Sequence, residues 1–349
     1  MKISFIGDIS LNDNYIELYK KGANPFKGVG AQLQKSDFVV GNLECMVKGE
    51  FENLLKKPRL TTTVETLSYL NTLNVKMVTL AHNHIYDHLE DGFIKTTKFL
   101  DESRILFLGA SLKKEDVEKP KIFTQNDIKI GFLNFVTEDT NPNLPLDTKV
   151  FLNCFNLEKA INDIKLLKHK VDHIVLLLHW GGRVEGGQFP DWDQPQIAHE
   201  LIDAGADLII GHHPHTIQPY EIYKGKYIFY SLGNFCFSDY WFNGELYPMP
   251  KSRMVSLIVE VSFDKYKYSL DTAYYLNEVK SYSKYDGYSG NMVLRNKLFK
   301  IVNGNKLAWL IYYFQKQWIL PLFLFFHRKD IPYSIKLFRL FKYIRKRLY

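Results

Sequence analysis

The chain has 349 residues, 46% of them hydrophobic and 24% charged, the balance of an ordinary globular protein with room for a full core. Its three cysteines, Cys45, Cys154 and Cys236, have no paired spacing, which argues against a disulfide framework and fits a reducing compartment. The net charge of +7 is concentrated at one end: residues 327–349 hold eight Lys or Arg against one acid, so the rest is neutral and is not a polyanion binder by bulk charge.

Met1-Lys2 leads straight into the strand-like Ile3-Ser4-Phe5-Ile6, with no apolar stretch long enough for a cleavable leader. A cytoplasmic protein is expected. Short apolar, mostly β-branched runs follow at 2–6, 37–41, 75–80, 105–108, 129–135, 172–178 and 207–211, as in strands buried on both faces. Helical periodicity occupies 63–73, 91–102, 157–168 and 194–204. Strand–helix alternation predicts parallel βαβ units. After residue 211 the pattern changes to strands without helices at 217–223, 226–232, 255–263 and 268–276, with Lys224-Gly225 as a hairpin turn. A second, antiparallel-rich sheet is predicted, packed face to face on the first with helices outside. Residues 283–291 form a polar, Gly-containing break, and the chain divides there into a body (1–284) and an aromatic, basic helical tail (285–349).

Polar clusters sit where these strands end: Gly7-Asp8, Gly41-Asn42-Leu43-Glu44, His82-Asn83-His84, His179-Trp180-Gly181, Gly211-His212-His213-Pro214-His215 and Gly233-Asn234-Phe235. Strand ends are where α/β folds bind ligands. A single turn Asp or a single His would be ordinary, but three His in four residues after Leu208-Ile209-Ile210 have no packing explanation. Alternate residues of an extended chain face opposite ways, so an irregular loop must turn His213 and His215 to one point. Nitrogen and carboxylate donors without cysteine suit Zn²⁺, Mn²⁺ or Fe²⁺. The number of candidate ligands exceeds what one tetrahedral ion needs, and two ions roughly 3.5–4 Å apart are a recurrent arrangement for phosphoester cleavage. One or two divalent ions are expected.

In this order, and with Asp87, Gly92, Gln218 and Tyr230-Ser231-Leu232 around them, the clusters resemble the capsule-synthesis protein CapA family over about residues 1–280. The resemblance implies poly-γ-glutamate capsule synthesis and kinship with the calcineurin-like metallophosphoesterases. The implied fold is therefore a two-sheet sandwich flanked by helices (α-β-β-α). It further implies a metal set of Asp8, Asn42, Glu44, Asn83, His179, His213 and His215, with His212 able to take one of the last two places. His84 would assist the leaving group, and the i+3 spacing alone, not the resemblance, suggests that Asp87 orients it. His82, Arg183, His212 and Asn234 would complete the substrate side. Four positions depart from the pattern. Ser10 stands where metallophosphoesterases carry a second metal-binding His, His82 replaces an Asn, and Arg183 stands where a Glu often follows His-Trp-Gly. Asn42 also replaces the bridging Asp.

In the tail, the apolar runs 307–314 and 318–326 are interrupted by Lys316 and Pro321, which argues against a membrane span. Residues 333–349 read as a basic amphipathic helix, suited to an anionic membrane surface or a membrane synthase. Nucleic acid is not expected as a partner, given the neutral body and the lack of a recognised motif. The leading expectation is a metal-dependent hydrolase of surface-polymer synthesis, acting on a phosphoester, acyl-phosphate or amide bond of an anionic substrate. The alternatives are a non-catalytic assembly or export subunit, and a lipid-phosphate hydrolase.

Overall fold

The computed structural model describes residues 1–51, 58–142, 144–319 and 323. Strand Lys2–Ile9 lies in the middle of the first sheet. On one side run Phe38–Leu43, Val75–Thr79 and Leu106–Leu108, all parallel, with Phe5 opposite Val40 and Asp8 opposite Asn42. On the other side Val255–Phe263 pairs antiparallel, Lys2 facing Ser262, and is followed by Tyr268–Asn277 and Tyr282–Lys284. The second sheet is ordered Tyr220–Tyr223, Lys226–Phe229, Leu208–His212, His173–His179, Ile128–Val136, Lys121–Gln125.

The period of two along each strand assigns every apolar side chain to a layer. Phe5, Val40, Met77, Phe132, Leu177 and Ile210 meet between the sheets. Val39 and Val78 face outward from the first sheet, against Leu33, Leu70, Phe93 and Leu100. Leu176 and Ile209 face outward from the second, against Ile164 and Leu167 of helix Leu157–Lys168 and Leu201 of helix Gln194–Ala204. The result is the expected α-β-β-α sandwich. Its helices begin and end by local chemistry: Asn156 caps the first by accepting from the Lys159 N–H, and the second carries Pro195 in its first turn and stops at Gly205.

The predicted split into an N-terminal parallel sheet and a C-terminal antiparallel one is corrected. The second sheet has a parallel centre and antiparallel flanks, and the first is parallel from Lys2–Ile9 to its Leu106–Leu108 edge and antiparallel on the other side. The hairpin 220–229 extends the second sheet, while Val255–Phe263 returns to the open edge of Lys2–Ile9 in the first. The hairpin turns are as the residues demand: Lys224-Gly225 and Asn126-Asp127 all have positive φ. The helix predicted at 63–73 is shorter, a 3₁₀ turn at Thr66–Ser68 and a single turn at Tyr69–Thr72. Helices Asn14–Lys20 and Lys27–Leu33 were not visible in the periodicity.

The chain after residue 285 continues onto the body. Helix Tyr288–Val302 sends Tyr288 and Met292 into the inter-sheet core and Phe299 onto the outer face of the second sheet. Helix Lys306–Phe314 buries Trp309 and Tyr313 against the loop 187–190. Among the described residues no helix is long and apolar enough to cross a membrane. The basic segment 333–349 lies outside the described residues.

Gly7 is where the strand ends meet most closely. A Cβ there would run into the backbone carbonyl of Gly233, which accepts the Asp8 N–H at 2.9 Å. Backbone cannot swing aside as a flexible side chain can. Gly7→Ala is therefore expected to destabilise the chain by about 1–3 kcal/mol or more, read by urea unfolding. An unchanged midpoint would show that these two segments can separate without cost.

Candidate metal centre

Parallel register places Asp8 beside Asn42, and His179 beside His212, at the same end of the two sheets. The turn Gly211–His215 then does what an extended chain could not. His213 has φ +96° and His215 φ +56°, a region bulky residues rarely adopt. The three histidines part company here. His212 continues its strand and directs Nε2 to the Ile6 carbonyl at 3.2 Å, tying the two sheets together. His213 and His215 turn into the site.

The seven residues named as metal ligands form one connected group. Asn42 Nδ2 donates to Asp8 Oδ1 at 2.9 Å and lies 3.3 Å from His179 Nδ1. His179 Nε2 is 3.0 Å from Asn83 Oδ1, 3.1 Å from His213 Nδ1 and 3.8 Å from Glu44 Oε1. His215 Nδ1 is 3.2 Å from Asp8 Oδ2, and its Nε2 is 3.7 Å from Glu44 Oε1. Ligand atoms of Glu44, His213 and His215 all lie within 4.8 Å of one another, and all three residues are buried. A buried carboxylate with two imidazoles is a donor set that fits Zn²⁺, Mn²⁺ or Fe²⁺.

Charges follow this packing. Burial pushes His213 down to about 4, and the neighbouring His215 adds to the effect. Burial holds His179 well below the ordinary imidazole range. For His215 burial acts in the same direction, but Glu44 and Asp8 outweigh it and raise it to about 9. Burial would raise the Asp8 carboxyl, yet its hydrogen bond and attraction to His215 bring it below the usual range. A charged group taken into the dry interior costs several kcal/mol unless paired, and the two His215 ring nitrogens are what the Asp8 and Glu44 carboxylates face here.

Two positions bear on how many ions this group could hold. Asn42 presents its amide nitrogen inward, while its oxygen accepts from the Thr79 hydroxyl at 2.8 Å. As it lies, it is a donor to Asp8. Ser10 is buried and its hydroxyl donates to Asn12 Oδ1 at 2.8 Å.

Beside the cluster is a cavity of about 110 Å³, lined by Asn83, His84, His215, Glu185, Tyr240 and Arg253 among others. His84 Nδ1 lies 2.6 Å from Asp87 Oδ2, which also accepts the Leu60 N–H at 2.9 Å. The i+3 pairing expected of Asp87 is present. The remaining sequence-named residues are placed differently. His82 is buried, accepts the His84 N–H at its Nδ1, and its ring is tilted against that of His179 with centroids 5.9 Å apart. Arg183 grips Asp193 with both terminal nitrogens, at 2.6 and 2.7 Å, and lies over Trp192. The acid expected near Arg183 arrives two residues on. The turn Gly182–Val184 brings Glu185 to the cavity wall. Asn234 bridges, its Oδ1 2.9 Å from His215 Nδ1 and its Nδ2 donating to the Arg253 carbonyl at 3.2 Å. Arg253 and Tyr240 were missed, since a lone arginine or tyrosine between strands carries no local signal.

The Asn234 contact fixes the ring of His215, and such supporting contacts commonly contribute 10–100-fold to metal affinity. Asn234→Ala is expected to weaken binding of Zn²⁺ or Mn²⁺ roughly tenfold or more, measured by chelator competition. Equal affinity would reduce Asn234 to a packing residue.

The family model described as "Bacterial capsule synthesis protein PGA_cap" matches residues 2–239. The PGA biosynthesis protein CapA of Bacillus subtilis (strain 168) is 32% identical over 256 residues, covering 69% of this chain and 64% of that protein. The capsule biosynthesis protein CapA of Bacillus anthracis is 30% identical over 256 residues, covering 69% of this chain and 61% of that protein. The chain thus spans less than two thirds of the length of these relatives. Among solved structures, a 5'-nucleotidase precursor from Thermus thermophilus overlays with a TM-score of 0.44 at 14% identity, over 86% of this chain and 59% of that one. Likeness at that level says nothing about chemistry.

Proposed function

The chain belongs to the bacterial capsule synthesis protein family, and from that premise we propose that it is a metal-dependent hydrolase of surface-polymer synthesis. Its substrate would be a phosphoester, or a related acyl-phosphate or amide bond, in an anionic molecule such as a poly-γ-glutamate precursor. The observation that carries this reading is the buried convergence of Glu44, His213 and His215 next to a cavity whose wall holds the His84–Asp87 pair.

Glu44, His213 and His215 would hold one divalent ion, with His179 and Asn83 adjoining. An ion there would polarise the scissile group and lower the pKa of a water. Everything else falls to the chain. Asp87 engages Nδ1 of His84, so proton delivery to the leaving group runs through Nε2. Asp8, fully buried, orients His215, and Asn42 steadies Asp8. The Asn42 amide that donates to Asp8 and the Ser10 hydroxyl engaged by Asn12 support one ion rather than two. They also favour a second reading, a non-catalytic assembly subunit in which the same cluster is structural. The exposed apolar residues Ile301, Leu307, Ile311 and Phe314, with the basic run beyond residue 327, support docking on the inner face of an anionic membrane or on a membrane synthase.

His84→Ala is expected to lower kcat on an activated phosphodiester by about a hundred- to ten-thousandfold with bound metal unchanged. Turnover equal to the parent would remove His84 from the chemistry. If neither protein turns over any phosphoester or γ-glutamyl amide while metal stays bound, the assembly reading stands instead.

A further inference from the structure

The family match ends at residue 239, yet the cavity wall continues past it with Tyr240, Met249 and Arg253. Arg253 closes the 3₁₀ turn Lys251–Arg253 just before strand Val255–Phe263. Its position is fixed twice. Its carbonyl accepts from Asn234, the same side chain that steadies His215, and its Nη1 donates to Glu185 Oε1 at 2.6 Å. The guanidinium lies against Gly186, a residue with φ +76° where a Cβ would collide with it. Glu185 faces the histidines as well. Its carboxylate shares the cavity wall with His215 and His84.

Stability does not explain this arrangement. The Glu185 side chain is 53% exposed, and ion pairs of that kind contribute only about 0–1 kcal/mol. The Arg253 side chain is 19% exposed and is held at the wall of a cavity. A guanidinium has five N–H donors in a rigid fork suited to the two oxygens of a carboxylate or phosphate. The cavity is small, about 110 Å³, and opens to solvent, so an oxyanion entering it would come against this wall.

We propose that Arg253 is a specificity-determining residue that draws an oxyanion of the substrate, carboxylate or phosphate, into the cavity beside the histidine cluster. This rests on reading the cavity as the substrate site. The family resemblance would then describe the shared cluster, and the segment 240–253 would select what is presented to it.

The test is calorimetric titration of the whole chain, with its metal, against inorganic phosphate, glutarate and the neutral control glutaramide. The parent chain is expected to bind at least one of the two anions and not glutaramide. Arg253→Gln should weaken that binding about ten- to a hundredfold, as for the loss of a charged hydrogen-bonding partner. Arg253→Lys should recover part of it, with metal content and melting temperature unchanged in both variants. Loss confined to phosphate identifies a phosphoryl ligand, and loss confined to glutarate a carboxylate. Equal affinity in Arg253→Gln, or no anion binding by the parent chain, overturns the proposal. Failure of the hydrolase reading looks different: anions bound through Arg253, but no ester or amide cleaved.

Discussion

The site depends on one buried carboxylate. Asp8 has no exposure, and a carboxylate taken out of water must be satisfied by hydrogen bonds or opposite charge. Its partners are the Asn42 amide, the His215 ring and, at 3.4 Å, the His213 backbone N–H. These come from the second strand of the first sheet and from the turn that follows strand Leu208–His212 of the second. Satisfying Asp8 therefore brings the two sheets' strand ends together, and each segment delivers its functional groups in doing so. Asn42 brings Glu44 two residues on, and the turn brings both histidines.

Backbone strain supports the same point. Two histidines with positive φ persist only where their surroundings over-determine them. Here the Asp8 carboxylate, Asn234 and the fixed strand Leu208–His212 do so. The Trp180 indole donates to the Tyr230 carbonyl at 2.9 Å, locking the end of strand His173–His179 to the chain that leads into Gly233-Asn234. The polar clusters in the sequence are thus partly structural: His212, Trp180 and Asn42 hold the frame within which Glu44, His213 and His215 converge.

Much of this was legible in the chain. Apolar runs of four to seven residues with polar ends marked the strands, and the donor types at those ends marked the residues that meet around Glu44, His213 and His215, because both signals are local. Sheet membership was not legible. Periodicity reports which face of a strand is buried but not its partner, so Val255–Phe263 could not be assigned to the edge of Lys2–Ile9 from pattern alone. Helices 157–168 and 194–204 were readable from apolar periodicity, and the structure caps them at Asn156 and Gly205, whereas Asn14–Lys20 has an undistinguished sequence and a cap without a side-chain hydrogen bond. Arg183 illustrates a further limit. Its spacing from His-Trp-Gly pointed to the site, but the Gly181-Gly182 pair and the turn after it send Arg183 to Asp193 and Glu185 inward.

The most direct test is the number of transition-metal ions per chain, by elemental mass spectrometry on protein purified without chelators, beside the His213→Ala, His215→Ala double variant. One ion per chain, lost in the variant, is the predicted result. No bound ion even after supplementation with Mn²⁺ or Zn²⁺, or an ion that the double variant retains, would contradict a metal centre at Glu44, His213 and His215.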